Sequence, residues 1–411
     1  MNQTFVARAC RIAAAAVLLS ASGLVQAQDQ PPLTYQSALE LALTRNASLA
    51  AARRQLAIRE AAVRAAGQRP NPEFSFEASK DTPHEVLSVG FPIEITGQRG
   101  RRIDLAREEM KLADLDVRDA ERTLRRNLRD SFYGLVAADA RVRDAEAVLA
   151  IVRRIRDAAN ARFTEGAAPR LEVMEADLGV ARSEAELELA QSTRAAAQAE
   201  LNAVLNQPAA QAVSVVGDLA APPRVADFAA IVKLAGESNG DLLRVEREIA
   251  IEQRRTSLLK AEKTPMPTFS IGGVFDAPGE FNAGLSGGVS MAIPLFSRNQ
   301  GEIAQSAAMV LQLRAQRDAV LRQIESSVFA TWTRLQAQRK QVEAYRDRLL
   351  PTSTEIASLA EESYRAGRSA LLDLLLAQRT LRDLRREYLQ ALSEYQAAIA
   401  ELEERVGAPL Q

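Results

Sequence analysis

Pro70-Asn71-Pro72-Glu73-Phe74-Ser75 is answered, about two hundred residues later, by Pro265-Met266-Pro267-Thr268-Phe269-Ser270. Outward from these two stretches the correspondence continues. Phe91-Pro92-Ile93 matches Ile293-Pro294-Leu295, Gly100 matches Gly301, and Phe163-Thr164-Glu165-Gly166 matches Tyr364-Arg365-Ala366-Gly367. From Gly100 the offset stays constant through Leu171/Leu372 to Leu205/Val406. A fixed offset over so long a span marks a duplicated unit, which governs how every element inside it is read. Between the Pro-x-Pro element and the later proline the second copy is seven residues longer, and an insertion of that kind is expected in a loop.

Each copy reads as helix, two strands, very long helix, turn, helix. The first copy occupies residues 28–206 and the second 227–411. Residues 207–226 join them, where Pro208, Gly217, Pro222 and Pro223 interrupt helical patterning and Val213 to Val216 has the composition of a short strand. The first helices are expected over Thr34 to Ala66 and Asp227 to Glu262. Leu124, Leu128, Ser131, Leu135 and Ala138 in one copy, and Leu371, Leu374, Gln378 and Leu381 in the other, alternate steps of four and three. That is the spacing of coiled-coil packing. Gly100 to Phe163 holds no proline, and at 1.5 Å per residue it makes a rod on the order of 95 Å long.

The strands are expected at about 72–79 and 86–93, then at about 268–276 and 283–293. In each, large apolar residues alternate with small or polar ones: Phe74 and Phe76 against Ser75 and Glu77, Leu87, Val89 and Phe91 against Ser88 and Gly90. Phe269, Ile271 and Phe275 oppose Ser270 and Gly272, and Leu285, Val289, Met291 and Ile293 oppose Ser286, Gly288 and Ser290. Strands of about 9 to 11 residues with one apolar face suit a bilayer on one side and a lumen on the other. Four strands cannot close, and an open edge would leave backbone groups unpaired in lipid. Two chains give an eight-stranded barrel that side chains would largely fill; three give twelve strands and a lumen. Two soluble hairpins on a helical stalk is the competing reading.

Residues 1–27 read as a secretory leader. Arg8 and Arg11 precede the short apolar stretch Ile12 to Val25, and Val25-Gln26-Ala27 offers a cleavage site near Ala27. Cys10, the only cysteine, precedes that stretch, so the exported chain is expected to carry no thiol, lipidated cysteine, disulfide or zinc-cysteine site. The apolar content is mostly Ala, with 5% aromatic and 26% charged residues, a composition for thin paired helices rather than one thick core. A net charge of -1 gives no sign of a nucleic-acid partner.

The leader, the duplicated order of elements, the Pro-x-Pro entry into each first strand and the Phe/Tyr-x-x-Gly turns together resemble the TolC family of outer-membrane factors, from Thr34 to Gly407. Glu94-Ile95-Thr96-Gly97-Gln98-Arg99-Gly100 and Ile293-Pro294-Leu295-Phe296-Ser297-Arg298-Asn299-Gln300-Gly301 are most similar to its CzcC-type branch, which serves resistance-nodulation-division (RND) pumps for divalent metal cations. The resemblance implies a mainly α fold with a membrane β part. Each chain of a homotrimer would give four strands to a 12-stranded barrel, continued by a long coiled-coil tunnel through the periplasm. It further implies a Gram-negative outer-membrane location in contact with lipid, a periplasmic adaptor and an inner-membrane RND pump.

By that resemblance, hairpin turns at 163–169 and 364–369 would meet the adaptor through Arg162, Phe163, Gly166, Tyr364, Arg365, Gly367, Arg368 and Ser369. Helix termination is a sufficient local reason for Gly166 and Gly367. Glu172 and Asp373, six residues past each turn glycine, with Glu175, would ring the tapered end. Crowded carboxylates attract cations and disfavour one another's ionisation, which suits a gate. Acids in the first turn of a helix are also favoured by its dipole. Arg162 and Arg368 are candidates to pair with them. The family's second gating aspartate falls on Leu376.

Nothing in the sequence points to catalysis. His84, the sole histidine, sits in Asp81-Thr82-Pro83-His84 without a second histidine for a metal or a triad. Gly97-Gln98-Arg99-Gly100 lacks the Gly-Lys-Ser/Thr ending of a phosphate loop. No cofactor is expected. A drug-efflux or type I secretion duct shares the same shape, and an exported stalk or an adaptor shares the helices alone.

Overall fold

The computed structural model describes residues 32–81, 83–220, 227–277, 279 and 281–410. The leader expected over 1–27, with Cys10, and part of the joining segment lie outside them.

The first copy contains α1 (Tyr35–Arg45), α2 (Ala47–Ala66), β1 (Glu73–Ala78), β2 (Glu85–Pro92), α3 (Gln98–Thr164) and α4 (Arg170–Val204). The second contains α5 (Phe228–Ser238), α6 (Gly240–Glu262), β3 (Thr268–Ala277), β4 (Phe281–Ser290), α7 (Gln300–Ala344), a π-helical turn (Tyr345–Leu349), α8 (Leu350–Arg365) and α9 (Leu371–Val406).

The opening helix of each copy is broken, where one continuous helix was expected. Asn46 and Asn239 cause the breaks. Both adopt extended backbone, and each side-chain oxygen caps the next helix, accepting from Leu49 N and Leu242 N at 3.1 Å. Each amide then donates to the end of its copy's last helix, Asn46 to Val204 O at 3.1 Å and Asn239 to Arg405 O at 2.7 Å. One residue type thus serves three helix ends whose polar groups would otherwise lack partners.

The folded-back α1 and α5 cover the middle of the long helices, where the principal core lies. Leu128, Phe132 and Leu135 of α3 are fully buried there with Ala38, Leu201, Ile231, Leu335 and Ile399. Arg129 is buried beside them. Its guanidinium lies 5.2 Å from the Tyr35 ring centroid and 3.4 Å from the Glu403 carboxylate, so the cation is both stacked and paired. Gln396 donates to Leu219 O at 3.1 Å, tying the joining segment to α9. The expected strand at 213–216 is a single parallel bridge between Leu33 and Val215.

One antiparallel sheet, in the order β1-β2-β3-β4, unites the two copies. Its register puts Phe74, Val89 and Ile271 in one row and Phe91, Phe269 and Val289 in another, all on one face; Ser75, Ser88, Gly272 and Ser286 form a row on the other. Ser75 and Ser88 hydroxyls are 2.7 Å apart. The apolar face is open, with Phe74 70% and Leu285 93% exposed. β1 and β4 are unpaired edges, as a shared barrel requires.

The strand limits shift from those expected. β1 is shorter, and β4 begins and ends earlier, stopping at Ser290 instead of 293. The seven extra residues are not confined to a loop. They lengthen β3 and β4 to 10 residues each, against 6 and 8 in β1 and β2, and extend the segment after β4, while the hairpin between β3 and β4 is the shorter one.

Below the sheet, α3 runs 67 residues unbroken, about 100 Å. Its counterpart is interrupted. Pro351 cannot donate a backbone hydrogen bond, and its ring crowds the carbonyl one turn back. The chain winds wider just ahead of it, and Leu350 N–H reaches five residues back to Tyr345 O.

Candidate functional site

Two helical hairpins end side by side far from the sheet. In the first, Gly166 (φ 75°) follows α3, Gly166 N donates to Phe163 O at 3.0 Å and Ala167 N to Arg162 O at 2.8 Å. In the second, Gly367 (φ 68°) follows α8, Gly367 N donates to Tyr364 O at 3.0 Å and Arg368 N to Ser363 O at 2.9 Å. Both are Schellman closures, whose left-handed residue is favoured as glycine. They bring the expected tip residues to the two ends as turns.

Tyr364 joins the two tips. It is 2% exposed and packs with Ile155, Leu371 and Leu374. Its hydroxyl donates to Glu172 Oε2 at 3.2 Å, and the Arg162 guanidinium lies 4.7 Å from its ring centroid. Burial first, then the negative Glu172, raises the Tyr364 pKa above its usual 10.0 and keeps the phenol a donor. Phe163, its repeat counterpart, is 42% exposed. Arg162 Nη1 and Ser369 Oγ are buried without a hydrogen-bond partner.

The three expected gate acids do different things. Glu172 accepts from Tyr364 across the copies. Asp373 lies in the first turn of α9 and accepts from Ala370 N at 3.3 Å, an N-terminal cap favoured by the helix dipole. Glu175 lines a groove of about 660 Å³ among α3, α4 and α9, with Arg182, Arg379 and Leu376. Among the described residues neither Arg162 nor Arg368 is ion-paired with these acids: Arg162 stacks on Tyr364, and it is Arg365 that pairs, at 2.6 Å, with Glu361 of its own helix. Pairing across the copies occurs higher up, Arg382 with Glu186 at 3.2 Å and Arg385 with Asp144 at 3.3 Å. These partners are not legible from local spacing, because residues so distant in the chain meet only once the hairpins are aligned.

His84, expected in a loop, stands at the far end of the sheet, with Nδ1 3.0 Å from Asp276 Oδ2. Among the described residues no three His, Cys, Asp or Glu side chains gather as a metal site. No helix among them is long and apolar enough to cross a membrane.

The sequence profile described as "Outer membrane efflux protein" matches residues 38–207 and again 243–408. The chain belongs to the outer membrane efflux protein family. The two matches fall on the two copies. The chain is 29% identical over 377 residues to the cobalt-zinc-cadmium resistance protein CzcC of Cupriavidus metallidurans, covering 89% of this chain and 88% of CzcC. Among solved structures it resembles CusC, with a TM-score of 0.72 at 17% identity over 91% of this chain and 92% of that one. It also resembles the open state of the MtrE outer-membrane channel of Neisseria gonorrhoeae, with a TM-score of 0.74 at 15% identity over 92% and 89%. This family member is therefore an outer-membrane efflux channel of Gram-negative tripartite systems, reaching into the periplasm. It transports and does not catalyse.

Proposed function

We propose that three copies form a 12-stranded barrel whose duct carries divalent metal cations outward, received from a periplasmic adaptor and an inner-membrane RND pump. The observation that carries the cargo is the likeness to CzcC over nearly the whole of both chains. Three copies are supported by the four-stranded sheet with two unpaired edges and a small, polar inner row, since twelve strands leave a lumen that eight would fill. The tip residues Arg162, Phe163, Gly166, Tyr364, Arg365, Gly367, Arg368 and Ser369 form the adaptor-facing end. Glu172, Glu175 and Asp373 supply its cation-attracting charge, with Glu172 also the latch on Tyr364. A conduit that holds its cargo weakly passes it quickly, which agrees with the scarcity of soft ligands in the sequence.

The test of cargo is a deletion strain complemented with this chain. Deletion should lower cobalt, zinc and cadmium tolerance and complementation should restore it; a deletion strain with unchanged metal tolerance and new drug sensitivity would sink the metal reading and leave a drug duct. For the gate, single-channel recordings of Glu172→Ala/Asp373→Ala should show higher conductance and weaker cation preference. Unchanged values for both would remove these acids from gating.

A further inference from the structure

The residues added after β4 form a surface that the first copy lacks. Ladder pairing stops at Ser290, yet the outward alternation of Leu285 and Val289 continues through Met291, Ile293 and Leu295, all exposed, and ends at Phe296, 91% exposed. In the first copy the same path is short, Ile93 and Ile95 and then the left-handed Gly97 that opens α3. Arg298 holds the longer segment in shape by donating from Nε to Pro294 O at 3.1 Å.

Beneath Phe296 lies a niche of about 450 Å³ lined by Lys263, Leu295, Phe296, Arg298 and Ile303. Its lining combines apolar side chains with two cations and includes no acid. Among the described residues neither Lys263 nor Arg298 is ion-paired. Glu302, the acid in the first turn of α7, lines a separate groove with Glu252 and Arg255.

We propose that this niche seats an anionic phospholipid of the leaflet facing the periplasm, with Leu295 and Phe296 against its acyl chains and Lys263 and Arg298 on its phosphate. The inference rests on the membrane reading of the sheet. Two observations select lipid as the occupant: the apolar row is continuous with the barrel's outward face, and the cations lie where that face ends, at head-group depth. Aromatic residues and cations concentrate at such boundaries, and a cation near an anionic surface adds measurably to binding. The second copy's extra length thus gives each subunit its own attachment at the barrel's base.

The full-length assembly, purified in mild detergent and supplied with phosphatidylglycerol, is examined by native mass spectrometry. The wild type should retain bound phosphatidylglycerol in preference to phosphatidylcholine. Lys263→Glu/Arg298→Glu should lower that retention by about tenfold or more, and Phe296→Ser should lower retention of both lipids. Equal retention by wild type and variants overturns the proposal. Loss of heat-resistant trimer in the variants, with lipid retention unchanged, overturns it in favour of a neighbouring copy covering the niche. Should any variant misfold, Lys263→Gln alone decides, since it removes one charge from an exposed helix end. A wild-type chain that fails to sediment with outer membranes refutes the membrane reading itself, a result distinct from lost lipid preference.

Discussion

The two copies share an order of elements and differ in strand length and in the continuity of their long helices. The first is a strut: α3 passes from sheet to tip in one helix, and its strands are short. The second is articulated: its long helix is divided by the π turn at 345–349, its strands are longer, and a longer segment leads from sheet to helix. The difference teaches that two hairpins with one order of elements need not share one helical winding. A single proline, Pro351, coincides with the wide turn that the first copy lacks.

The sharpest way to break that contrast is to move the proline. Ala150 is the residue of α3 that matches Pro351, and it lies within an unbroken helix. Ala150→Pro should cost about 3 kcal/mol, by removing a helical hydrogen bond and crowding the preceding turn. The urea midpoint of the detergent-solubilised assembly measures it. A midpoint unchanged from wild type would mean that the first copy tolerates a joint as readily as the second, and the strut description would fall.

The paired asparagines test whether the copies' shared features carry equal weight. Asn239 is buried and makes the shorter bond to a helix end, whereas Asn46 is half-buried with the longer one. Removing either leaves two helix termini without a partner, so Asn239→Ala should cost about 2 kcal/mol and Asn46→Ala about 1 kcal/mol. Equal losses in thermal or urea unfolding would show that burial does not separate them.

The repeat, the four alternating strands and the coiled-coil spacing were legible because each follows from a period in the sequence. Leu124, Leu128, Leu135, Leu371, Leu374 and Leu381, singled out by spacing, are all buried. The helix breaks at Asn46 and Asn239 were missed, although asparagine is a known capping residue, because the apolar period runs on through both. The long helix of the second copy was expected without an interruption at Pro351, and whether a chain kinks, stops or widens at a proline depends on what it packs against. The seven-residue excess can be counted from the sequence, but a length difference does not say how strands and connecting segments share it. Of the tip, the glycines were readable from local chemistry alone. The Tyr364 link was not, since Arg162, Glu172 and Tyr364 come from three helices and no local period relates them.

That link gives the finest comparison, since Tyr364 and Phe163 hold the same repeat position, one buried under an arginine and the other facing solvent. The hydroxyl is what the second copy adds. Its pKa is raised by burial and by Glu172, so the folded state holds the phenolic proton more tightly than the unfolded chain does. The stabilisation is therefore complete below the ordinary tyrosine value of 10.0 and is lost as pH rises through the higher folded value. Ionised, the phenolate would face the Glu172 carboxylate and repel it, parting the two tips. Channel conductance should therefore step upward in that alkaline window. Tyr364→Phe, which leaves the ring beneath Arg162 and matches the first copy, should abolish the step and cost about 1 kcal/mol at neutral pH. Other tyrosines titrate in the same range, so the decisive quantity is the difference between wild type and this variant. An alkaline step of the same size in both would assign it elsewhere and leave the hydroxyl with no part in holding the copies together.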